Sequence, residues 1–216
     1  MTAEDRFRDP TVEVWSVELA QPPELVARLE RVLAGDERER AARLADPSRW
    51  IVARAALRIV LGRRLAVAPG DVRFALGAHG KPELPGSRLR FNLSHSGDRA
   101  LVALAEGVEV GVDVERTARR SHAVERALTD GERAAMCGPD RHVELLRIWC
   151  RKEALAKAMG GGLRWAPEKF DTTRPGGHVL ADLEPGEGYV GALAVAGERF
   201  ALEHRRLALS PPAGES

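Results

Sequence analysis

Three short runs of this sequence hold residue types that can do chemistry together. The first is Gly111-Val112-Asp113-Val114-Glu115. In a strand, alternate side chains share a face. Asp113 and Glu115 then point one way, and Val110, Val112 and Val114 point the other, into a core. Two carboxylates on one face, at the end of an apolar strand, make a site for a hard cation with room for water and phosphate oxygens. A solvated strand edge would carry the same pair. The second run is Trp149-Cys150-Arg151-Lys152-Glu153-Ala154-Leu155-Ala156-Lys157. Trp149, Glu153 and Lys157 are spaced i, i+4, i+8 and line one helix face. A surface Glu–Lys pair, worth about 0.3–0.5 kcal/mol, has this spacing too. A large tryptophan on the same face suits a partly buried site better. The third run is Phe91-Asn92-Leu93-Ser94-His95-Ser96-Gly97. It is no serine-hydrolase arrangement, because adjacent strand side chains face opposite ways and there is no Gly-x-Ser-x-Gly elbow. A histidine with serines and backbone amides can bind a phosphate. A structural histidine is the alternative.

Together the runs supply three carboxylates, a lysine and a histidine. That is the inventory for metal-assisted phosphoryl chemistry: carboxylates hold an ion, the ion bridges phosphate oxygens, and cations take up charge on the leaving group. The sequence has no Walker-type loop ending in Gly-Lys-Ser/Thr and no kinase catalytic loop. Residue types and spacing reach a metal-dependent enzyme acting on a phosphate ester or anhydride, and no further.

Several elements must position these runs. Val12, Val14 and Val17 around Trp15 predict a first strand. Pro22-Pro23 opens a helix to about residue 33, since proline is tolerated in a first turn. Asp36 is placed to cap a charged helix over 37–45. Pro47 starts the next helix, about 48–65, with Trp50, Leu57 and Leu61 on an apolar face. Residues 72–76 alternate as a half-buried strand, and 77–86 read as a glycine- and proline-rich loop. Residues 89–93, 100–105 and 108–114 predict strands. Residues 116–140 read as helical and polar, with a break at Gly138-Pro139. Residues 141–159 predict a long helix, stopped by Gly160-Gly161-Gly162. Strands follow at 189–195 and 199–202, and 210–216 read as a disordered tail. Each half has a long helix and several strands without regular βαβ alternation, so the fold class is α+β.

Composition bounds the partners. The chain has 216 residues, 44% hydrophobic and 30% charged, as expected of a globular protein of one large or two small domains. Its 33 basic and 32 acidic side chains give a net charge of +1. So small a charge, without basic stripes carrying interleaved aromatics, argues against nucleic acid and anionic membrane. Cys137 and Cys150 have no metal-ligand spacing and read as reduced thiols. The polar residues 1–10 are no signal peptide and no apolar run approaches the ~20 residues of a membrane span, so a cytoplasmic location is expected.

Phe91 to Ser96 resembles the F-N-(I/L)-S-H-S segment of the Sfp-type 4′-phosphopantetheinyl transferase family, named for the enzyme that activates surfactin synthetase. Gly111 to Glu115 resembles the family's G-(I/V)-D-x-E, and Trp149 to Lys157 its W-x-x-K-E-(A/S)-x-x-K. Gly162-Leu163 extends the latter. Gly80-Lys81-Pro82 resembles a G-K-P found shortly before the first segment. The motifs stand in family order over residues 80–163.

The resemblance implies a fold of two similar α/β halves about a pseudo-twofold axis, here 1–106 and 107–216, with coenzyme A and magnesium in the cleft between them. It implies Asp113, Glu115 and Glu153 as magnesium ligands, and Lys157 on the coenzyme A pyrophosphate. His95 and Ser94 would contact coenzyme A phosphates, Lys81 would lie near the nucleotide, and Arg49 would hold the 3′-phosphate. Arg40 and Arg43 are further candidates there, although Glu37 or Glu39 falls where relatives carry a lysine. The implied reaction moves the phosphopantetheine arm to a serine of an acyl or peptidyl carrier protein, with Glu153 as candidate base and adenosine 3′,5′-bisphosphate as leaving group. The implied enzyme is a monomer. A non-catalytic module that binds coenzyme A or the carrier is the alternative, which three metal ligands argue against. Over residues 116–136, Arg116, Arg119, Arg120, Arg126 and Arg133 outnumber Glu125, Asp130 and Glu132, and carriers as a class are acidic, so this segment is the expected docking surface. Leu128 and Met136 would add apolar contact there or belong to the core.

Overall fold

The computed structural model describes residues 9–77, 81–119, 122–160 and 167–209. In chain order the first half gives β1 (Thr11–Glu18), α1 (Pro23–Glu30), α2 (Gly35–Ala41), α3 (Ser48–Leu65), β2 (Ala75–Leu76), β3 (Pro82–Glu83), β4 (Leu89–Ser96) and β5 (Arg99–Glu106). The second gives β6 (Val110–Arg116), α4 (His122–Arg126), α5 (Asp130–Ala135), α6 (Arg141–Ala158), β7 (His178–Leu183), β8 (Tyr189–Ala196) and β9 (Ala201–Leu207). The fold is mixed α+β.

Alternation of apolar residues builds the layers. The main sheet has the order β4-β5-β1-β9, and a second sheet the order β6-β8-β7. In β5, Ala100, Val102 and Leu104 face one side, where Leu57 and Leu61 of α3 cover them. Leu101, Ala103 and Ala105 face the other, where Val110, Val112 and Val114 of β6 meet them. The two sheets thus stack face to face. The far side of the second sheet is covered by α6, through Leu146, Cys150, Ala154 and Leu155 against Val190, Ala192 and Ala194. Each leucine or valine so buried contributes roughly 1.5–3 kcal/mol. The last strand, β9, crosses back and pairs parallel with β1 in the main sheet.

Several elements differ from expectation. Only Ala75–Leu76 of the run 72–76 forms a strand, paired with Pro82–Glu83 inside the expected loop. The Val72 carbonyl is diverted to Arg58, 3.0 Å away, and cannot enter a ladder. Asp36 is not the cap of α2; the Glu37 carboxylate turns back and accepts the Ala34 N–H at 2.8 Å, and the helix spans Gly35–Ala41. Strand β4 runs past Leu93 to Ser96, because its pairing with β5 holds up to Ser96 opposite Arg99, across a turn where Gly97 has φ +54°. The polar run after Arg116 is two short helices. Thr129 interrupts it by capping α5, its Oγ1 accepting the Glu132 N–H at 3.2 Å. Strand β7 was not foreseen, and β9 starts and ends later than 199–202. Gly160 follows α6 with φ +71°, a conformation that favours glycine. Gly80, Gly161, Gly162, Leu163 and the expected tail lie outside the described residues.

Candidate functional site

The three chemistry-bearing runs converge where β4, β6 and α6 meet. Along β4, Phe91 and Leu93 pack into the first core, so Asn92, Ser94 and Ser96 face β6. Helix α6 lies hard against β6 because Gly111 has no side chain; a Cβ there would collide with the Ala154 carbonyl and the Ala158 amide. This approach carries Lys157 onto the strand. Its Nζ donates to Asp113 Oδ1 at 2.6 Å, Ser94 Oγ at 3.2 Å and the Val112 carbonyl at 3.2 Å. Ser94 Oγ also donates to Asp113 Oδ1, at 2.7 Å. Asp113 is 5% exposed.

Glu115 lies one strand pitch further. It accepts from Ser96 Oγ at 2.9 Å and pairs with Arg119. The Arg119 guanidinium sits 5.7 Å from the Trp149 ring centroid, a distance at which cation–π attraction acts. The predicted Trp149–Glu153–Lys157 face therefore does look onto the acidic strand. Burial, and then the negative charge of Asp113, push the Glu153 carboxyl above the usual carboxylate range against the pull of Lys157 and Arg119. Partial burial, and then the Lys157 charge, lower the His95 pKa and favour its neutral form. Cys150 is fully buried and its pKa is raised by that burial, so it is no nucleophile.

One feature of these residues is what a hard cation would satisfy. Asp113 Oδ2 is buried and receives no hydrogen bond of good geometry, although the Cys150 thiol lies close enough to feel the Asp113 charge, while Oδ1 of the same carboxylate has two. A buried carboxylate oxygen left unpaired costs about 1–3 kcal/mol, and an ion would relieve it. Like-charge repulsion between Asp113 and Glu153 would be relieved by the same ion. Among the described residues no three His, Cys, Asp or Glu side chains stand together as a group able to hold a metal ion; Lys157 engages Asp113 and Arg119 engages Glu115 instead.

A cavity of about 330 Å³ opens beside this point, lined by His95, Arg40, Arg54, Trp50, Leu76 and Pro82 among others. Ser94 and His95 are neighbours on β4, so Ser94 faces the acidic strand and His95 the cavity. The Arg54 guanidinium lies 4.5 Å from the Phe74 ring centroid, and that of Arg40 5.7 Å from Trp50. Arg49 does not line this cavity; it pairs with Asp98 at 2.6 Å and Asp46 at 3.1 Å. Lys81 is a pin between elements. Its Nζ donates to Glu109 Oε2 at 3.0 Å, the Val110 carbonyl at 3.2 Å and the Lys157 carbonyl at 3.1 Å. A larger cavity, about 550 Å³, lies by Thr11, Glu13, Arg64 and Val108 and holds none of the predicted site residues.

Sequence reasoning passed over three groups. Arg54 is four residues from Trp50 and from Arg58, a spacing that signals one helix face. Lys152 sits inside the long-helix motif but is fully buried, paired with Glu132 at 2.8 Å. Asn92 and Ser96 alternate with Ser94, which was the available signal. In the segment expected to dock the carrier, Arg119 pairs with Glu115 and lies beside Trp149 while staying partly exposed, and Leu128 and Met136 belong to a core with Val124 and Ile148. Arg120 lies outside the described residues.

Residues 109–183, which carry both acidic motifs, match the family model described as the 4′-phosphopantetheinyl transferase superfamily. The chain is 33% identical to the 4′-phosphopantetheinyl transferase HetI of Nostoc sp. over 86% of its own length and 88% of that relative. It is 36% identical to the 4′-phosphopantetheinyl transferase AcpT of Escherichia coli K12, over 63% of this chain and 69% of the relative. It is 26% identical to the 4′-phosphopantetheinyl transferase Sfp of Bacillus subtilis, over 64% and 65%. Identity across nearly the full length of a relative, with the motif residues gathered at one point, leads to one conclusion: the chain belongs to the 4′-phosphopantetheinyl transferase superfamily.

Proposed function

We propose that this protein transfers the 4′-phosphopantetheine arm of coenzyme A to a serine of an apo acyl or peptidyl carrier protein, releasing adenosine 3′,5′-bisphosphate. The observation that carries this reading is the meeting of Ser94 and Lys157 on one oxygen of Asp113 while the other, buried, lacks a hydrogen bond. A non-catalytic binding module would have no use for such an oxygen, and the named relatives are transferases.

Asp113, Glu115 and Glu153 would hold magnesium, which when bound supplies charge neutralisation at the pyrophosphate. The other work falls to this chain's side chains. Lys157 stays next to Asp113 and takes up charge on the departing phosphate. His95, on the cavity side of β4, donates to a phosphate oxygen, and Ser94 stands opposite it at the acidic strand. Arg40 and Arg54, at the cavity, are the nearer candidates for the 3′-phosphate, with Arg49 at the outer end of α3 and Lys81 fixing the hairpin beneath the nucleotide. Glu153 takes the proton of the carrier serine, whose oxygen then attacks the β-phosphorus. No covalent enzyme intermediate is needed.

The carrier docks over the segment after Glu115, through Arg126 and Arg133, both exposed. The halves 1–106 and 107–216 are each read as a long helix on a sheet, related by a pseudo-twofold axis, with β9 lent to the first sheet. The enzyme works as a monomer in the cytoplasm. Among the described residues no helix is long and apolar enough to cross a membrane. The test is mass spectrometry of apo carriers after incubation with enzyme, coenzyme A and magnesium. One added phosphopantetheine arm, abolished by chelator and restored by magnesium, supports the reading; an unmodified panel of fatty-acid, polyketide and peptide carriers overturns it.

A further inference from the structure

Strands β4 and β6 are each the outer strand of a separate sheet. An outer strand presents a row of N–H and C=O groups that must find partners elsewhere. On β6, side chains from outside its sheet meet these groups. The Val110 carbonyl accepts from Lys81 at 3.2 Å, and the Val112 carbonyl accepts from Lys157 at 3.2 Å. The Val112 N–H donates to Asn92 Oδ1 at 2.9 Å. The Arg116 N–H donates to Ser96 Oγ at 3.1 Å. Asn92 to Ser96 and Val112 to Arg116 span equal lengths of chain, so the two strands run in one direction and in step.

We infer that Asn92 and Ser96 are positioning residues: they form a side-chain ladder that joins β4 to the open edge of β6 and fixes Asp113 and Glu115 for metal binding. The inference rests on the reading of those two acids as metal ligands. Ser96 is the key member. A hydroxyl has one proton and two lone pairs. Its lone pair takes the Arg116 N–H, so its proton is free to go to Glu115 Oε2, 2.9 Å away. One atom therefore sets the strand edge and the carboxylate at once. Asn92 does the same for the backbone on the other side of Asp113. A direct backbone ladder would bring the strands to about 4.8 Å. An intervening side chain holds them further apart and leaves the slot in which Ser94, Asp113 and Lys157 meet.

The experiment compares wild type with Ser96→Ala, Ser96→Thr and Asn92→Leu. Amide exchange at Arg116 and Val112 is read by NMR, Mn²⁺ binding by electron paramagnetic resonance with coenzyme A present, and folding by Tm. Ser96→Ala should speed exchange at Arg116 and weaken Mn²⁺ binding about tenfold, the lower end for loss of a group that orients a ligand. Ser96→Thr, which keeps the hydroxyl, should restore both. Asn92→Leu should speed exchange at Val112. Ser96→Cys gives the same readouts should Ser96→Ala not fold. Unchanged Arg116 exchange overturns the ladder. Mn²⁺ affinity within twofold of wild type in Ser96→Ala, even with a lowered Tm, overturns the positioning role. A wild type that binds no Mn²⁺ overturns the metal reading itself, and with it the positioning role; the exchange data then report on the ladder alone.

Discussion

Lys152 and Lys157 stand five residues apart on α6, and each meets a buried carboxylate. Lys152 donates to Glu132, to the Pro167 carbonyl at 2.9 Å and to the Phe170 carbonyl. Glu132 in turn uses both oxygens, taking Thr172 N–H and Oγ1 at 2.9 Å each on one and the Thr129 N–H at 2.9 Å on the other. Lys157 also spends its three donors, but its partner Asp113 keeps one oxygen buried and unpaired. The difference teaches where stability ends and function begins. The closed pair ties α5 and the segment 167–173 to α6. The open pair leaves one buried oxygen without a hydrogen bond, the atom that the proposed magnesium would take.

The sharpest break between the two pairs is in stability. Lys152→Met leaves Glu132 charged and buried without its counter-ion, and should cost about 3–5 kcal/mol in urea unfolding. Adding Glu132→Gln should recover most of it. A loss under 1 kcal/mol, small beside the roughly 3–5 expected, would mean that the closed pair is not structural.

Lys157→Ala should instead act on turnover. A donor placed on developing charge is worth about 10²-fold in kcat, with KM for coenzyme A little changed. A raised KM with unchanged kcat would make Lys157 a binding residue only.

Glu37 extends the comparison to a third buried acid. Burial alone would raise its pKa, but hydrogen bonds from Arg58 and the Ala34 N–H, with Arg54 beside it, outweigh that and hold it below the usual carboxylate range. The folded state then resists a proton that the unfolded state accepts. Its stabilisation is complete above the ordinary carboxylate range and is lost as pH falls through the lowered folded value. Tm of wild type should fall on acidification, and Glu37→Gln should flatten that fall. An equally steep profile in the variant would contradict the assignment.

The smallest effect belongs to the surface. Reversing Arg126 and Arg133 to Glu should raise the carrier KM a few-fold at low salt, since rim charges act on encounter and are screened by ions. The KM for coenzyme A should stay put. Unchanged carrier kinetics would move the docking surface elsewhere.

The grouping of the candidate site residues was more legible than the fold around them. Asp113, Glu115, Glu153 and Lys157 carry their spacing in local sequence, because a strand and a helix each have a fixed period. Glycine 111 stands in the motif, but only the packing of α6 on β6 says why it must lack a side chain. The hydrogen-bond partners of Lys81 and Ser96 lie on other elements, which no local period reveals. Strand β9 was mistimed for the same reason, its partner β1 being at the other end of the chain. Arg58 is buried, because Glu37 and the Pro69 and Val72 carbonyls satisfy it, and no local pattern announces those partners.

The proposed role of Asp113 turns on magnesium binding at its unpaired oxygen. Calorimetric titration of magnesium into wild type and Asp113→Asn, each with coenzyme A bound and with Tm recorded, tests it most directly. Asp113→Asn should lose magnesium binding and carrier modification while its Tm falls only modestly, because Lys157 is partly exposed and can be hydrated. Magnesium affinity and turnover near wild type in Asp113→Asn would contradict it.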